Sequence, residues 1–96
     1  MPTFDGRQLT AARALAELNL IELAEAASVT PRTVNRLEIG GVQHIAQKRR
    51  HGHVSGDVWA KIVAALKHHG VELLPETEDH GAGVRWCLPR AQRPQN

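Results

Sequence analysis

The sequence predicts a mainly α-helical domain of four to five helices that ends in a β-hairpin. Three observations carry this. Apolar residues recur at helical spacing in separate stretches before Gly70. After Gly70 the period changes to alternation in "VELLP" and "GVRWCLP", joined by the polar, glycine-bearing "ETEDHGAG". A chain of 96 residues, 42% hydrophobic and 23% charged, has the size and composition of one small folded unit.

Taken in order, residues 7–18, "RQLTAARALAEL", place Leu9, Ala12 and Ala16 on one stripe with Leu15 and Leu18 beside it. Asn19 is the N-cap expected for a second helix, "LIELAEAA", with Leu20, Leu23, Ala24 and Ala27 facing inward. Ser28-Val29 breaks it. Thr30 caps a third helix, and Pro31 suits its first turn, where the missing N–H is not needed. Val34 and Leu37 point into the core, and Gly40-Gly41 ends the helix. Residues 42–56, "VQHIAQKRRHGHVSG", have weak periodicity: Val42, Ile45 and Ala46 add a helical turn, and the rest is a basic loop. A fourth helix, "DVWAKIVAALKHH", carries Val58, Ile62 and Leu66 on one stripe, with Trp59 and Val63 beside it. In the hairpin, Val84, Trp86 and Leu88 alternate with Arg85 and Cys87, and Glu72 lies near Arg85. The expected division is a helical domain over 1–70, a hairpin over 71–90 and a flexible tail over 91–96.

Charge is unevenly spread. The total is +2, with a pI near 9.2. Between Thr30 and His69 seven bases (Arg32, Arg36, Lys48, Arg49, Arg50, Lys61, Lys67) meet two acids (Glu38, Asp57). From Val71 to His80 there are four acids (Glu72, Glu76, Glu78, Asp79) and no base. A positive middle suits an anionic partner; a plain solvated surface is the alternative. Cys87 is the only cysteine, so no intrachain disulfide forms. With no signal segment and no apolar run of the roughly 20 residues a span needs, a cytoplasmic protein is expected. Carboxylates pair in no catalytic motif, no glycine-rich phosphate loop is present, and Cys87 has no evident base. A binding module without cofactor is therefore expected rather than an enzyme. Six histidines (His44, His51, His53, His68, His69, His80) raise the question of a metal. Adjacent His68 and His69 diverge by about 100° on a helix, and His51-Gly-His53 lacks a second ligand pair. No metal site is expected, though a redox- or metal-responsive role for Cys87 or the histidines stays open.

Two short helices joined by a tight turn form a helix-turn-helix. The major groove of DNA, about 12 Å wide, admits one helix. Val29, Val34 and Leu37 would hold the third helix to the core. Pro31, Arg32, Thr33, Asn35 and Arg36 are then the candidate base-reading residues, with Arg32 and Thr33 deepest. Arginine pairs bidentately with guanine, and asparagine with adenine. Asn19, Thr30, Gln43, Lys48, Arg49 and Arg50 are the candidate phosphate contacts.

The segment "AARALAELNLIELAEAASVTPRTVNRLEIGG" resembles the helix-turn-helix of the Xre family of bacterial transcriptional regulators. The likeness rests on Ala12-Arg13, Leu23-Ala24, Ser28-Val29, Thr30-Pro31-Arg32-Thr33-Val34 and Glu38-Ile39-Gly40. It covers about the first 41 residues. The resemblance implies a lambda-repressor-like bundle and a sequence-specific regulator of double-stranded DNA, acting as a repressor and homodimer. Three departures stand out. Leu20 replaces the Gln common at the start of the second helix, Ser28 replaces the Gly common in the turn, and the link 42–56 is longer. One recognition helix reads few base pairs, so specificity calls for two half-sites about 34–36 Å apart. The expected dimer surface is the hairpin, through Val84, Trp86 and Leu88, which need cover; helix 57–69 is the other candidate. An antitoxin that binds its own promoter and meets a protein partner through the hairpin is the alternative.

Overall fold

The computed structural model describes residues 3–46 and 54–93. Asp5 starts the first helix. Its carboxylate accepts from the Arg7 backbone, and Gln8 completes a capping box. The helix α1, Gly6–Leu15, stops where Glu17 turns left-handed (φ 58°). The Leu18 amide then bonds back to the Arg13 carbonyl, which closes the helix three residues before the end expected from periodicity. Asn19 and Glu22 exchange backbone and side-chain bonds in a second capping box, opening α2, Leu20–Ala27. Thr30 caps α3, Pro31–Ile39, with Pro31 at its start. The last long helix is α4, Gly56–His68, with Asp57 in its first turn.

Four α-helices are thus present among the described residues, with two small sheets beside them. Strand β1, Thr3–Asp5, pairs antiparallel with β2, Val42–Ala46, and β2 pairs parallel with β3, Val54–Ser55. The extra helical turn expected at Val42, Ile45 and Ala46 is therefore a strand. Those residues keep an interval a helix would use, but Gly41 turns the chain at φ 68° and the N-terminal segment offers a ladder partner. Pairing with residues some 40 positions away is invisible to local periodicity. The hairpin follows as β4, Val71–Leu74, and β5, Gly83–Trp86, with Glu72 opposite Arg85 and ion-paired to it.

One apolar core joins these elements. Leu9, Leu23, Val34, Ile62, Leu66 and Val71 are fully enclosed, and Phe4 stacks on Trp59 of α4 with ring centroids 4.0 Å apart. The hairpin is fastened to α1 by Gln8, a buried polar side chain. Its amide donates to the Leu74 carbonyl (2.8 Å) and the Gly83 carbonyl (2.9 Å), the strand pair that adjoins the connecting loop. Trp86 and Val84 pack against this core, and the Arg93 guanidinium lies 4.2 Å from the Trp86 ring centroid. Arg90–Gln92 form a 3-10 turn. Residues 90–93 thus fold back where a frayed tail was expected, because a cation over the indole face and a bond from Arg93 Nε to the Leu88 carbonyl (3.0 Å) hold them. No helix among the described residues is long and apolar enough to cross a membrane.

The start of α1 lies close against the end of α3. A Cβ placed on Gly6 would sit 2.4 Å from the carbonyl oxygens of both Leu37 and Glu38. The Gly6 amide donates to the Gly41 carbonyl at 2.9 Å. Substituting Gly6→Ala is expected to lower stability by about 2–3 kcal/mol, since the clash is with backbone that cannot yield. Urea unfolding of the two chains measures this; equal midpoints would mean that the contact is looser than described.

Candidate nucleic-acid interface

Helix α3 is divided sharply into two faces. Val34 and Leu37 are buried, Val29 packs against the core, and Pro31, Arg32, Asn35, Arg36 and Ile39 are exposed. Nine residues at about 1.5 Å rise make a rod of about 13.5 Å. Along its outside, Arg32, Asn35 and Arg36 fall at i, i+3 and i+4, so the fold brings them onto one patch. Their side chains make no hydrogen bond or ion pair with any described residue. Two guanidinium groups and one amide therefore stand free in water, and Arg36 in the last turn suits the negative end of the helix dipole.

The two threonines differ from this patch. Thr30 Oγ1 accepts from the Thr33 amide (3.2 Å), and the two hydroxyls lie 2.9 Å apart. Thr33 is half-buried. Both hydroxyls thus serve the cap at the helix start, which ties them to the shape of α3.

The turn before α3 is made by Ser28 at φ 57° and ψ 42°. Its amide and that of Val29 return to α2 carbonyls, Val29 to Ala24 at 2.9 Å. This closes α2 in the manner glycine usually serves. A serine there is strained by its Cβ, at about 1–2 kcal/mol, partly offset because glycine loses more freedom on folding. Ser28→Gly is expected to raise stability by about 0.5 kcal/mol. A thermal melt checks it; a lower melting temperature would mean that the Ser28 hydroxyl holds the turn.

The far end of α3 is anchored by a carboxylate. Glu38 accepts from Arg13 Nε (2.9 Å), Arg13 Nη2 (3.1 Å) and Thr10 Oγ1 (2.9 Å), and Arg13 also donates to the Leu18 carbonyl (3.2 Å). The Glu38 and Arg13 side chains are 7% and 23% exposed. This fork joins α1 to α3, and with both groups largely out of water, losing either one would strand the other at about 3 kcal/mol. Gln43 supports the same end: its amide donates to the Leu37 carbonyl (2.7 Å) and the Gly41 carbonyl (3.3 Å). Those N–H groups are thereby committed to the chain itself, away from any phosphate.

Asn19 is exposed at the start of α2, with its carbonyl oxygen accepting from the Glu22 amide (2.8 Å). The Glu22 carboxylate closes that helix end on itself, accepting from the Asn19 amide (2.9 Å). With Glu25 also exposed, the outer side of α2 is acidic. Lys48, Arg49 and Arg50 lie outside the described residues, as do His51 and His53. Val84 and Trp86 lie on β5, which packs beside α1 rather than α3, and Leu88 follows that strand. All three are half-buried; Val84 and Trp86 pack against the chain's own core, and the Arg93 guanidinium lies over the Trp86 ring.

Near the other end of α1, a hydrogen bond from the Arg7 guanidinium, with one from its backbone, holds the Asp5 carboxyl below the usual carboxylate range. Among the described residues no three histidine, cysteine or acidic side chains gather as a metal site, and the His68 and His69 rings stand nearly perpendicular, at 83°. Cys87 is a free, half-buried thiol.

Sequence reasoning missed Gly6, Gln8 and the roles of Glu38 and Gln43. Asp5 and Gln8 carry a capping-box spacing that was readable. The Gly6 contact and the second duty of Gln8 depend on which elements meet, and no local pattern encodes that. No model of a known protein family matches the chain, and no curated protein matches it.

Proposed function

We propose that this chain is a sequence-specific double-stranded DNA-binding regulator of transcription, a repressor that lays α3 in the major groove and works as a homodimer. One observation carries the reading. Arg32, Asn35 and Arg36 share the open face of a short, firmly seated helix and have no partner within the described fold. Free planar donors at helical spacing suit base edges: arginine for guanine, asparagine for adenine. The seating matters as much as the groups. Thr30 fixes the entry of α3 and Glu38 its exit, so these donors are held on a rigid support.

The acidic outer side of α2 bears on how phosphates are met. Glu22 and Glu25 would repel a strand lying across them. Backbone attraction then has to come from the cations that follow α3 in sequence, Lys48, Arg49 and Arg50. Asn19 and Thr30 can add neutral contacts. A second copy would supply the second half-site.

Binding-site selection from a random duplex pool, followed by gel shifts, tests the reading. Arg32→Ala and Asn35→Ala are each expected to weaken the selected duplex by about 1–3 kcal/mol while leaving random duplex nearly unchanged. Equal loss on both would remove them from base reading. Replacing Lys48, Arg49 and Arg50 together with Gln is expected to weaken all duplexes and to flatten the log–log salt slope by up to about three units. A slope that stays as steep would show that the phosphates are met elsewhere.

A further inference from the structure

Ile39 is 74% exposed, more than any other large hydrophobic side chain among the described residues. It closes α3, three residues after Arg36, four after Asn35 and seven after Arg32. Those intervals return to one side of a helix. The open face of α3 therefore reads, from its start, cation, amide with cation, then a branched aliphatic group. Ile39 has no part in the core cluster, and the buried side of the helix is already supplied by Val34 and Leu37. Val42, 68% exposed, lies past the Gly40-Gly41 turn on β2 and so off this face.

The major groove presents one apolar feature, the C5 methyl group of thymine. We infer that Ile39 is a specificity-determining residue that packs on a thymine methyl in the bound half-site. The inference rests on α3 being the helix that enters the groove. Three residues advance about 4.5 Å along the helix, and a base pair occupies about 3.4 Å. The thymine thus lies one to two base pairs beyond the base met by Arg36. Gly40 and Gly41 follow at once and carry no side chains of their own.

The duplex selected above, with the full chain, provides the test. Each thymine is replaced in turn by deoxyuridine, which lacks only the methyl group. At one position wild-type affinity is expected to fall about fourfold, the worth of one buried methyl. Ile39→Ala is expected to bind the thymine and deoxyuridine duplexes equally, and Val42→Ser to keep the wild-type difference. Because the Ile39 side chain is exposed, the alanine variant should retain the wild-type helical circular dichroism. A selected duplex in which no replacement matters overturns the inference, as does an Ile39→Ala chain that still distinguishes the two bases. If Ile39→Ala and Val42→Ser instead both weaken self-association in sedimentation and leave the thymine preference alone, the pair faces a second copy and the thymine assignment is wrong. Failure to select any duplex would strike the groove-entry reading itself, and Ile39 with it.

Discussion

The structure depends on how closely the start of α1 lies against the end of α3. Only a residue without a Cβ can bring its backbone against the Leu37 and Glu38 carbonyls, and Gly6 does so. That contact passes in three directions. Through the Gly6 amide it meets Gly41 and fixes the start of β2. Two residues on, Gln8 reaches the loop end of the hairpin strands. One turn further, Thr10 and Arg13 take hold of Glu38. A helix of ten residues thus bonds to α3 on one side and to the hairpin on the other. Its own amphipathic stripe, Leu9 and Ala12, goes into the core between them.

This explains why so short a helix as α3 can be rigid. Isolated helices of nine residues are marginal in water. Here both ends are secured by named groups, Thr30 at the start and Glu38 with Gln43 at the end, and the inward side loses water at Val34 and Leu37. The outer side is then spared structural duty, and that freedom is what makes it a candidate for recognition. Stability and availability come from different faces of the same nine residues.

Electrostatics narrow the picture further. The pair of helices α2 and α3 does not offer a uniformly positive surface. Helix α2 is acidic outside, α3 is basic, and the hairpin connection carries Glu76, Glu78 and Asp79 in exposed positions. A chain so patterned is steered in orientation more than drawn in bulk, consistent with a total charge of only +2. For the hairpin, the ion pair of Glu72 with Arg85 and the cover Arg93 gives Trp86 satisfy groups that would otherwise seek a partner.

Much of this was legible in the sequence, because much of it is local. The bounds of α2 and α3 follow from Asn19, Thr30, Pro31 and Gly40, each acting within one turn of itself. The opposition of Glu72 and Arg85 follows from alternation, and the exposure of Arg32, Asn35 and Arg36 from the 3.6-residue period. What the tertiary structure alone decided is of another kind. Val42 to Ala46 became a strand because a segment some 40 residues earlier lay alongside. Residues 90–93 folded back because Trp86 offered its face to a cation, and Gly6, Gln8 and Gln43 gained their roles from backbone atoms of distant elements. Period and capping are properties of neighbours along the chain, whereas ladder pairing, backbone clearance and the filling of carbonyl lone pairs depend on elements that only folding brings together.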